Sequence, residues 1–254
     1  MTQPQNTANK ISSTDEQWEK WGSQNPYRGV LGLDTSSLDE TSKSVFFNSG
    51  RDHIRYVLSL IEMHFGSPCP RGSALDFGCG VGRLLPSLGE YFSRVIGVDV
   101  SQSMLSVARQ NTEGLQNIGL AHGLDAVDGR EGFDLVHSYI VMQHIRPAQG
   151  MEILERLISH VRPDGFLAVH LTIGDLRPWR RRLNVVRYRF RPVHWLYNLS
   201  RGRPLNEPVA EMNRYDAAQV YDLLRREGLC PVLTVPLDHN RRVGIIIIGC
   251  KSAG

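Results

Sequence analysis

The sequence predicts an α/β protein: a doubly wound, seven-stranded, mostly parallel sheet with one antiparallel strand near the C-terminus and helices on both faces. Three observations carry this. Short β-rich runs alternate with helical stretches whose apolar residues recur at i, i+3, i+4 and i+7. A glycine turn, Gly78-Cys79-Gly80-Val81-Gly82, joins the first β-rich run to the helix behind it, and glycine lets a backbone turn sharply and admit a ligand closely. The last two β-rich runs, Pro231 to Val235 and Val243 to Gly249, are joined too tightly for a crossover and can pair only as antiparallel neighbours. An N-terminal arm (1–48) and an insert after strand five (175–208) decorate a main domain spanning 49–254.

The elements follow in order. Residues 1–10 are Gln/Asn/Thr-rich without an apolar core, which predicts disorder and excludes a signal peptide. The rest of the arm is polar and aromatic, with Trp18, Trp21, Tyr27, Phe46 and Phe47. A helical turn or two is expected over 15–20, and a turn at Asn25 to Gly29. The arm either packs on the main domain or forms a flap over the site, with Tyr27 as the candidate contact. From Ser49 a helix carries Ile54, Val57, Leu58 and Ile61 on one face and ends at Gly66 and Pro68. Strand 74–77, a helix near 82–92, strand 95–98 and a helix near 102–111 introduced by Ser101 come next. A short strand at 118–121, a loop with Asp125 and Asp128, and strand 134–137 follow. Pro147 opens a helix with the stripe Leu154, Leu157, Ile158, Val161. Pro163-Asp164-Gly165 is a turn before strand 166–171. After the insert, Asp216 caps a helix bearing Val220, Leu223 and Leu224, closed by Gly228. The Ile run of the final strand suggests burial on both faces.

The chain has 254 residues and a formal net charge of +3. That balance is too mild to imply nucleic acid. Four scattered cysteines, Cys69, Cys79, Cys230 and Cys250, suggest neither a zinc cage nor a disulfide framework, so reduced thiols and a cytoplasmic location are expected. The longest apolar run falls far short of a membrane span. No histidine-carboxylate spacing suggests a catalytic metal.

Three local details narrow the ligand of the glycine loop. Its pattern is G-x-G-x-G, with Arg83 where a dinucleotide fingerprint wants its third glycine. Asp76 precedes it, and an acid there suits a cationic ligand better than a pyrophosphate. Asp99 ends the next strand, the place (~20 residues on) for a carboxylate that accepts ribose hydroxyls. S-adenosylmethionine, with a ribose, an ammonium, a sulfonium and no phosphate, fits all three.

On Leu75-Asp76-Phe77-Gly78-Cys79-Gly80-Val81-Gly82-Arg83, Gly97-Val98-Asp99-Val100-Ser101 with Met104-Leu105, and Phe133-Asp134-Leu135-Val136, the chain resembles the class I S-adenosylmethionine-dependent methyltransferases. The resemblance covers roughly 50–174 and 209–254, and the stretches at 47–50 and 140–145 look like a bacterial small-molecule subgroup. It implies that Asp76 and the loop Gly78, Cys79, Gly80 and Gly82 hold the methionine part. It further implies that Asp99, with Val100 beside it, binds the ribose, and that Met104 packs near the adenine. Leu124 or Asp125 would stand at the adenine edge, and Ser138 and Tyr139 would border the methyl group.

Methyl transfer is an in-line displacement with a good neutral leaving group, so much of the rate can come from placing the nucleophile. A base matters for a hydroxyl or a protonated amine. Of nine histidines, His144, just past strand four, is the candidate base or acceptor-positioning residue, with Tyr139 beside it. His137 and His170 read as structural, and His53 shows only ordinary placement. From Leu176 to Asn206 there are nine arginines and no acid, interleaved with Trp179, Tyr188, Phe190, Trp195 and Tyr197. Arg187 to Arg191 alternates as a half-buried strand would. The insert reads as a lid on an anionic or glycosidic acceptor, with His194 and Trp195 as contacts, as a solvated or dimer-forming arm, or as an RNA or membrane surface. The expected function is methylation of a small molecule at a hydroxyl, of a sugar or natural product. RNA methylation and non-catalytic binding of the same cofactor are the alternatives.

Overall fold

The computed structural model describes residues 14–31, 39–127, 132–175, 190–200, 202, 205, 207, 210–239 and 242–252. Seven strands, β1 (Ser73–Phe77), β2 (Arg94–Asp99), β3 (Ile118–His122), β4 (Phe133–Ser138), β5 (Val161–Asp175), β6 (Leu229–His239) and β7 (Arg242–Lys251), form one sheet in the order β3-β2-β1-β4-β5-β7-β6. All neighbours pair in parallel except β7, which runs against both β5 and β6. The strand order reverses between β1 and β4. That switch point opens a crevice at the carboxyl ends of β1, β2 and β4, where an open α/β sheet takes ligands.

Alternation along the central strands builds two cores. Leu75, Phe77, Val136, Leu167, Val169, Ile245 and Ile247 face one way, against Leu154, Leu157 and Ile158 of α6 (Pro147–Ser159) and Val220, Leu223 and Leu224 of α8 (Ala217–Arg226). Ala74, Leu135, Phe166, Ala168, Ile246 and Ile248 face the other way, against α3 (Glu40–Phe65), α4 (Leu85–Tyr91) and α5 (Gln102–Asn111). Each fully buried Leu or Ile contributes about 1.5–3 kcal/mol. The isoleucine run is therefore buried on both faces, as its composition predicts.

Several boundaries differ from the sequence reading, each for a local reason. The helix expected from Ser49 begins at Glu40, because the Asp39 carboxylate accepts from Ser42 N at 2.8 Å and caps it. It runs across the boundary drawn between arm and domain. The turn expected at Asn25 to Gly29 is instead a short helix, α2 (Pro26–Leu31). Asn25 Oδ1 accepts from Arg28 N at 3.3 Å, and Pro26 occupies the first helical position. The helix expected near 82 starts at Leu85, because Gly82 has φ +81° and still belongs to the loop. The turn at Pro163 to Gly165 lies inside β5 as an irregularity: Val161 pairs with Phe133 and Phe166 with Leu135, with Asp164 at φ +60°. Arg191 does not end a strand. It opens α7 (Arg191–Leu199). The expectations for residues 1–10, for Asp128 and for the alternation over 187–189 lie outside the described residues.

α1 (Thr14–Gln24) lies across the N-terminal end of α5. Glu19 accepts from Ser101 Oγ at 2.8 Å, from Ser103 N at 3.3 Å and from Ser103 Oγ. Gly22 permits the approach, since a Cβ there would come within 2.9 Å of Met104 N. Trp21 joins Phe46, Val81 and Met104 in a third apolar cluster. Among the described residues no helix is long and apolar enough to cross a membrane.

Candidate active site

The glycine loop is tied to β2 by its own backbone. Gly78 N and Cys79 N both donate to the Val98 carbonyl, at 2.7 and 2.9 Å. Gly78, Gly80 and Gly82 have φ of +73°, +54° and +81°, values that L side chains rarely adopt. A Cβ on Gly78 would strike Val141, and one on Gly80 would meet Val30 at 3.2 Å. Asp99, at the end of β2, accepts from Gly80 N (2.8 Å) on one oxygen and from Ser101 N (2.9 Å) on the other. Burial nevertheless raises its pKa to about 6, against the lowering effect of those N–H groups.

Beside the loop, the register of β1 on β4 puts Asp76 opposite His137. His137 Nδ1 meets Asp76 Oδ1 at 2.8 Å, and His137 Nε2 meets His53 Nε2 of α3 at 3.0 Å. The partners set the tautomer: with His137 donating from Nδ1 to Asp76, its Nε2 accepts from His53. Burial, then His137, pull His53 well below its ordinary pKa. Asp76 Oδ2 is buried and has no hydrogen-bond partner among the described residues. A buried carboxylate oxygen left bare is costly, and a cationic ligand group would satisfy it, although Asp76 is buried beneath the loop and does not itself line the cavity above it.

A cavity of about 160 Å³ lies over the loop. Gly78, Cys79, Gly80, Asp99, Val100 and Met104 line one side, and Tyr139, Ile140, Val141 and His144 line the other. Thr14, Asp15 and Trp18 of α1 and Val30 of α2 close it. Arg83 also lines it. This guanidinium is buried, donates from Nη1 to Ser49 Oγ at 3.2 Å and lies 5.6 Å over the Tyr139 ring. Burial lowers its pKa, while Tyr139 and Asp76 push it back up. Tyr139 stacks on His53 with ring centroids 3.7 Å apart. Burial raises the phenol's pKa, so it is a hydrogen-bond donor rather than a base. Ile140 has φ +64°, strained for a β-branched residue and held at the cavity wall.

His144 closes a 3-10 turn (Met142–His144) after β4. Its Nδ1–H donates to the Glu211 carbonyl at 2.7 Å, and its Nε2 accepts from the Gln143 amide at 3.2 Å. Thr172 Oγ1 donates to Gln143 Oε1 at 3.0 Å, so the amide is itself oriented. The edge of Trp18 meets the His144 ring, with centroids 4.9 Å apart.

The family model described as "Methyltransferase domain" matches residues 74–165. Among curated proteins, an uncharacterised 37.1 kDa protein in a Streptomyces fradiae transposon is 31% identical over 59% of this chain and 50% of its own length. A ubiquinone biosynthesis O-methyltransferase of Bradyrhizobium diazoefficiens is 32% identical over 37% of this chain and 38% of its own. The chain thus spans half or less of the first curated relatives it matches. Among solved structures, magnesium protoporphyrin IX methyltransferase from Synechocystis with bound S-adenosylhomocysteine aligns at TM-score 0.62. It is 17% identical and covers 94% of this chain and 100% of that one. The N-methyltransferase NodS from Bradyrhizobium japonicum aligns at 0.58, with 16% identity, over 95% and 100%.

This is a class I methyltransferase fold.

Within the methyltransferase fold the expected site residues divide. The cavity gathers Gly78, Cys79, Gly80, Asp99, Val100, Met104, Tyr139 and His144. Others lie elsewhere. Gly82 packs the loop on α5, since a Cβ there would meet Ala108 at 3.3 Å. Leu124 is in the core. Asp125 is 91% exposed and paired with Arg156. Ser138 is buried, donating to the Phe77 carbonyl at 3.0 Å. Tyr27 does not reach the cavity: its hydroxyl donates to Asn111 Oδ1 (3.0 Å), whose amide donates to the Val81 carbonyl (2.8 Å), so it braces the loop from behind. His194 is buried against the Glu207 carbonyl at 2.8 Å, and Trp195 points outward from α7; neither lines the cavity. Sequence reading missed His53, Arg83, Asp15 and Trp18. Arg83 had a signal, the non-glycine at the fingerprint's last position. Trp18 stood among several arm aromatics, and nothing local set it apart from Tyr27.

Proposed function

We propose that the chain is a methyltransferase that moves the methyl group of S-adenosylmethionine to a small-molecule acceptor, at a hydroxyl. One observation carries this reading. A single cavity joins the glycine loop and Asp99 to Tyr139, His144 and α1, which offers room for a cofactor beside an acceptor. Relatives named for small acceptors support the small-molecule part of this reading, among them a dTDP-amino sugar N,N-dimethyltransferase of Streptomyces fradiae, 29% identical over 53% of this chain and of its own; the hydroxyl as acceptor atom is the proposal's own.

When bound, S-adenosylmethionine supplies an electrophilic methyl on a sulfonium that leaves as a neutral thioether. Asp76 Oδ2 would accept from the ammonium, and the carboxylate of Asp99 from the ribose hydroxyls. Met104 would pack on the adenine, and the Arg83 guanidinium faces the same space as a partner for a carboxylate. On the acceptor side, His144 takes the hydroxyl proton at Nε2, once the acceptor displaces the Gln143 amide from that lone pair. The Glu211 carbonyl keeps the other ring proton on Nδ1 and stabilises the imidazolium. Trp18 shields this side of the cavity from water. Four free cysteines support a reducing, cytoplasmic setting. The reading keeps α1 and α2 as cover and α7 outside the chemistry.

The test is incubation with methyl-labelled S-adenosylmethionine and fractionated small-molecule extract. Label in a base-stable ether product is expected, and label confined to RNA or protein would sink the reading. His144→Ala should slow turnover by about 10²–10⁴-fold while cofactor affinity, measured by calorimetry, stays unchanged. An unaltered rate removes His144 from the mechanism.

A further inference from the structure

A buried histidine against a carboxylate ordinarily collects a proton, since the neighbouring negative charge favours the imidazolium. Asp76 and His137 are such a pair, 2% and 1% exposed, with His137 Nδ1 2.8 Å from Asp76 Oδ1. Were His137 charged, the pair would be neutral as a whole and would offer nothing to a cation in the cavity above. Its surroundings oppose that charge. His53 of α3 meets His137 Nε2 at 3.0 Å, and a proton donated from His53 occupies the lone pair on which the second proton would land. Arg83 behind the glycine loop and His170 of β5 act on the same pair of rings, and both disfavour a further positive charge there. Tyr139, the residue after β4, stacks on His53 with centroids 3.7 Å apart and fixes the plane of its ring.

We propose that His53 is a positioning residue: by donating to His137 Nε2 it keeps that ring neutral and leaves the charge of Asp76 for the ammonium end of the cofactor. The inference rests on S-adenosylmethionine as that cofactor. It does not depend on direct contact. Asp76 lies beneath the loop, and in that buried, low-dielectric setting its charge is felt across the loop backbone. Among the described residues no hydrogen-bond donor draws on Asp76 Oδ2. The state of His137 therefore decides whether the cavity floor is negative or neutral, and His53 sets the state of His137.

S-adenosylhomocysteine and 5′-methylthioadenosine share the adenosine and the thioether, but only the first carries an ammonium. Both feel any titration of Asp99, so the ratio of their affinities cancels it. Calorimetry with the full chain measures that ratio between about pH 6.5 and 8.5. In the wild type it should stay level. His53→Phe keeps a ring on Tyr139 and removes the donor. Its ratio should fall about tenfold at the acid end and recover at the alkaline end, as His137 takes and releases the second proton. His53→Gln, whose amide can donate to the same nitrogen, should stay level. A level ratio in His53→Phe, whether both affinities drop together or neither does, overturns the proposal. So does a ratio that titrates equally in His53→Gln. Should His53→Phe not fold, nitrogen NMR of the wild-type His137 ring decides: a neutral ring protonated at Nδ1 is expected throughout the range, and an imidazolium overturns the proposal. Wild-type protein that binds neither nucleoside overturns the cofactor itself, an outcome set apart from the others by the silent calorimeter.

Discussion

Asp99 is a carboxylate that two backbone N–H groups hold and burial still makes reluctant to ionise. Its raised value, about 6, means the folded chain binds this proton more readily than the unfolded one. The cost of its charge is therefore complete above pH 6 and fades as the pH falls below that. Ligand binding has the opposite sign, because ribose hydroxyls donate to the anion. Affinity for S-adenosylhomocysteine should be flat above pH 6 and fall about tenfold per unit below it. Calorimetry from pH 5 to 8 checks this, and a flat profile would mean that Asp99 does not meet the ribose. Asp76 is held differently. Its Oδ1 is engaged by the His137–His53 chain, leaving Oδ2 for a ligand. The sequence marked Asp76 through its place before a glycine loop. It could not mark His53, because an α3 histidine meets a β4 histidine only when both pack against the same end of the sheet.

The elements around the cavity are set by contacts from outside it. The turn bearing His144 hangs from Tyr215, whose hydroxyl donates to the Met142 carbonyl at 3.0 Å and the Ile145 carbonyl at 3.1 Å. Tyr215→Phe should cost about 1–2 kcal/mol of stability and lower kcat more than cofactor affinity, since the loop side is untouched. Denaturant titration and steady-state kinetics separate the two effects. α1 is held over the cavity by Glu19 on the N-terminal end of α5, where a carboxylate also meets the positive end of the helix dipole. Its Ser103 hydrogen bond lowers the Glu19 pKa. The latch is therefore intact above the ordinary carboxylate range and is lost as the pH falls through the lowered value. Glu19→Ala should loosen the cover by about 1 kcal/mol, seen as faster release of S-adenosylhomocysteine in stopped flow; an unchanged rate would mean that α1 does not gate the cavity. Helix periodicity exposed α3, α5, α6 and α8 in the sequence. It did not place α1 as a cover, because Trp18 and Trp21 read alike until the Glu19 contact sets the rotation of the helix.

At the scale of the whole molecule, two cores share one sheet, and the cavity sits where α1, α5, α6 and the turn after β4 converge on its carboxyl edge. A ligand binding there stabilises the entire fold by mass action. At about a hundredfold excess over Kd that is about 2.7 kcal/mol, or about 5–10 °C in Tm for a chain of this size. Gly80→Val should remove the shift by filling the loop against Val30 and by forcing a β-branched residue to φ +54°. Differential scanning calorimetry with and without S-adenosylhomocysteine makes the comparison, and a retained shift would move the cofactor away from this loop.

The strand-helix alternation, the antiparallel final hairpin, the glycine loop and the acids at 76 and 99 were all present in the sequence. Each rests on interactions between near neighbours: side-chain alternation along a strand, apolar spacing along a helix, and the turn chemistry of glycine and proline. Only the tertiary structure placed Arg83 and Trp18 on the cavity wall and His53 behind it, against His137 and Tyr139, and left Tyr27, Asp125, His194 and Trp195 off the lining. Those outcomes depend on contacts between residues far apart in the chain, such as His53 with His137 or Trp18 with His144. Local pattern carries no term for such contacts until the sheet brings the distant elements together.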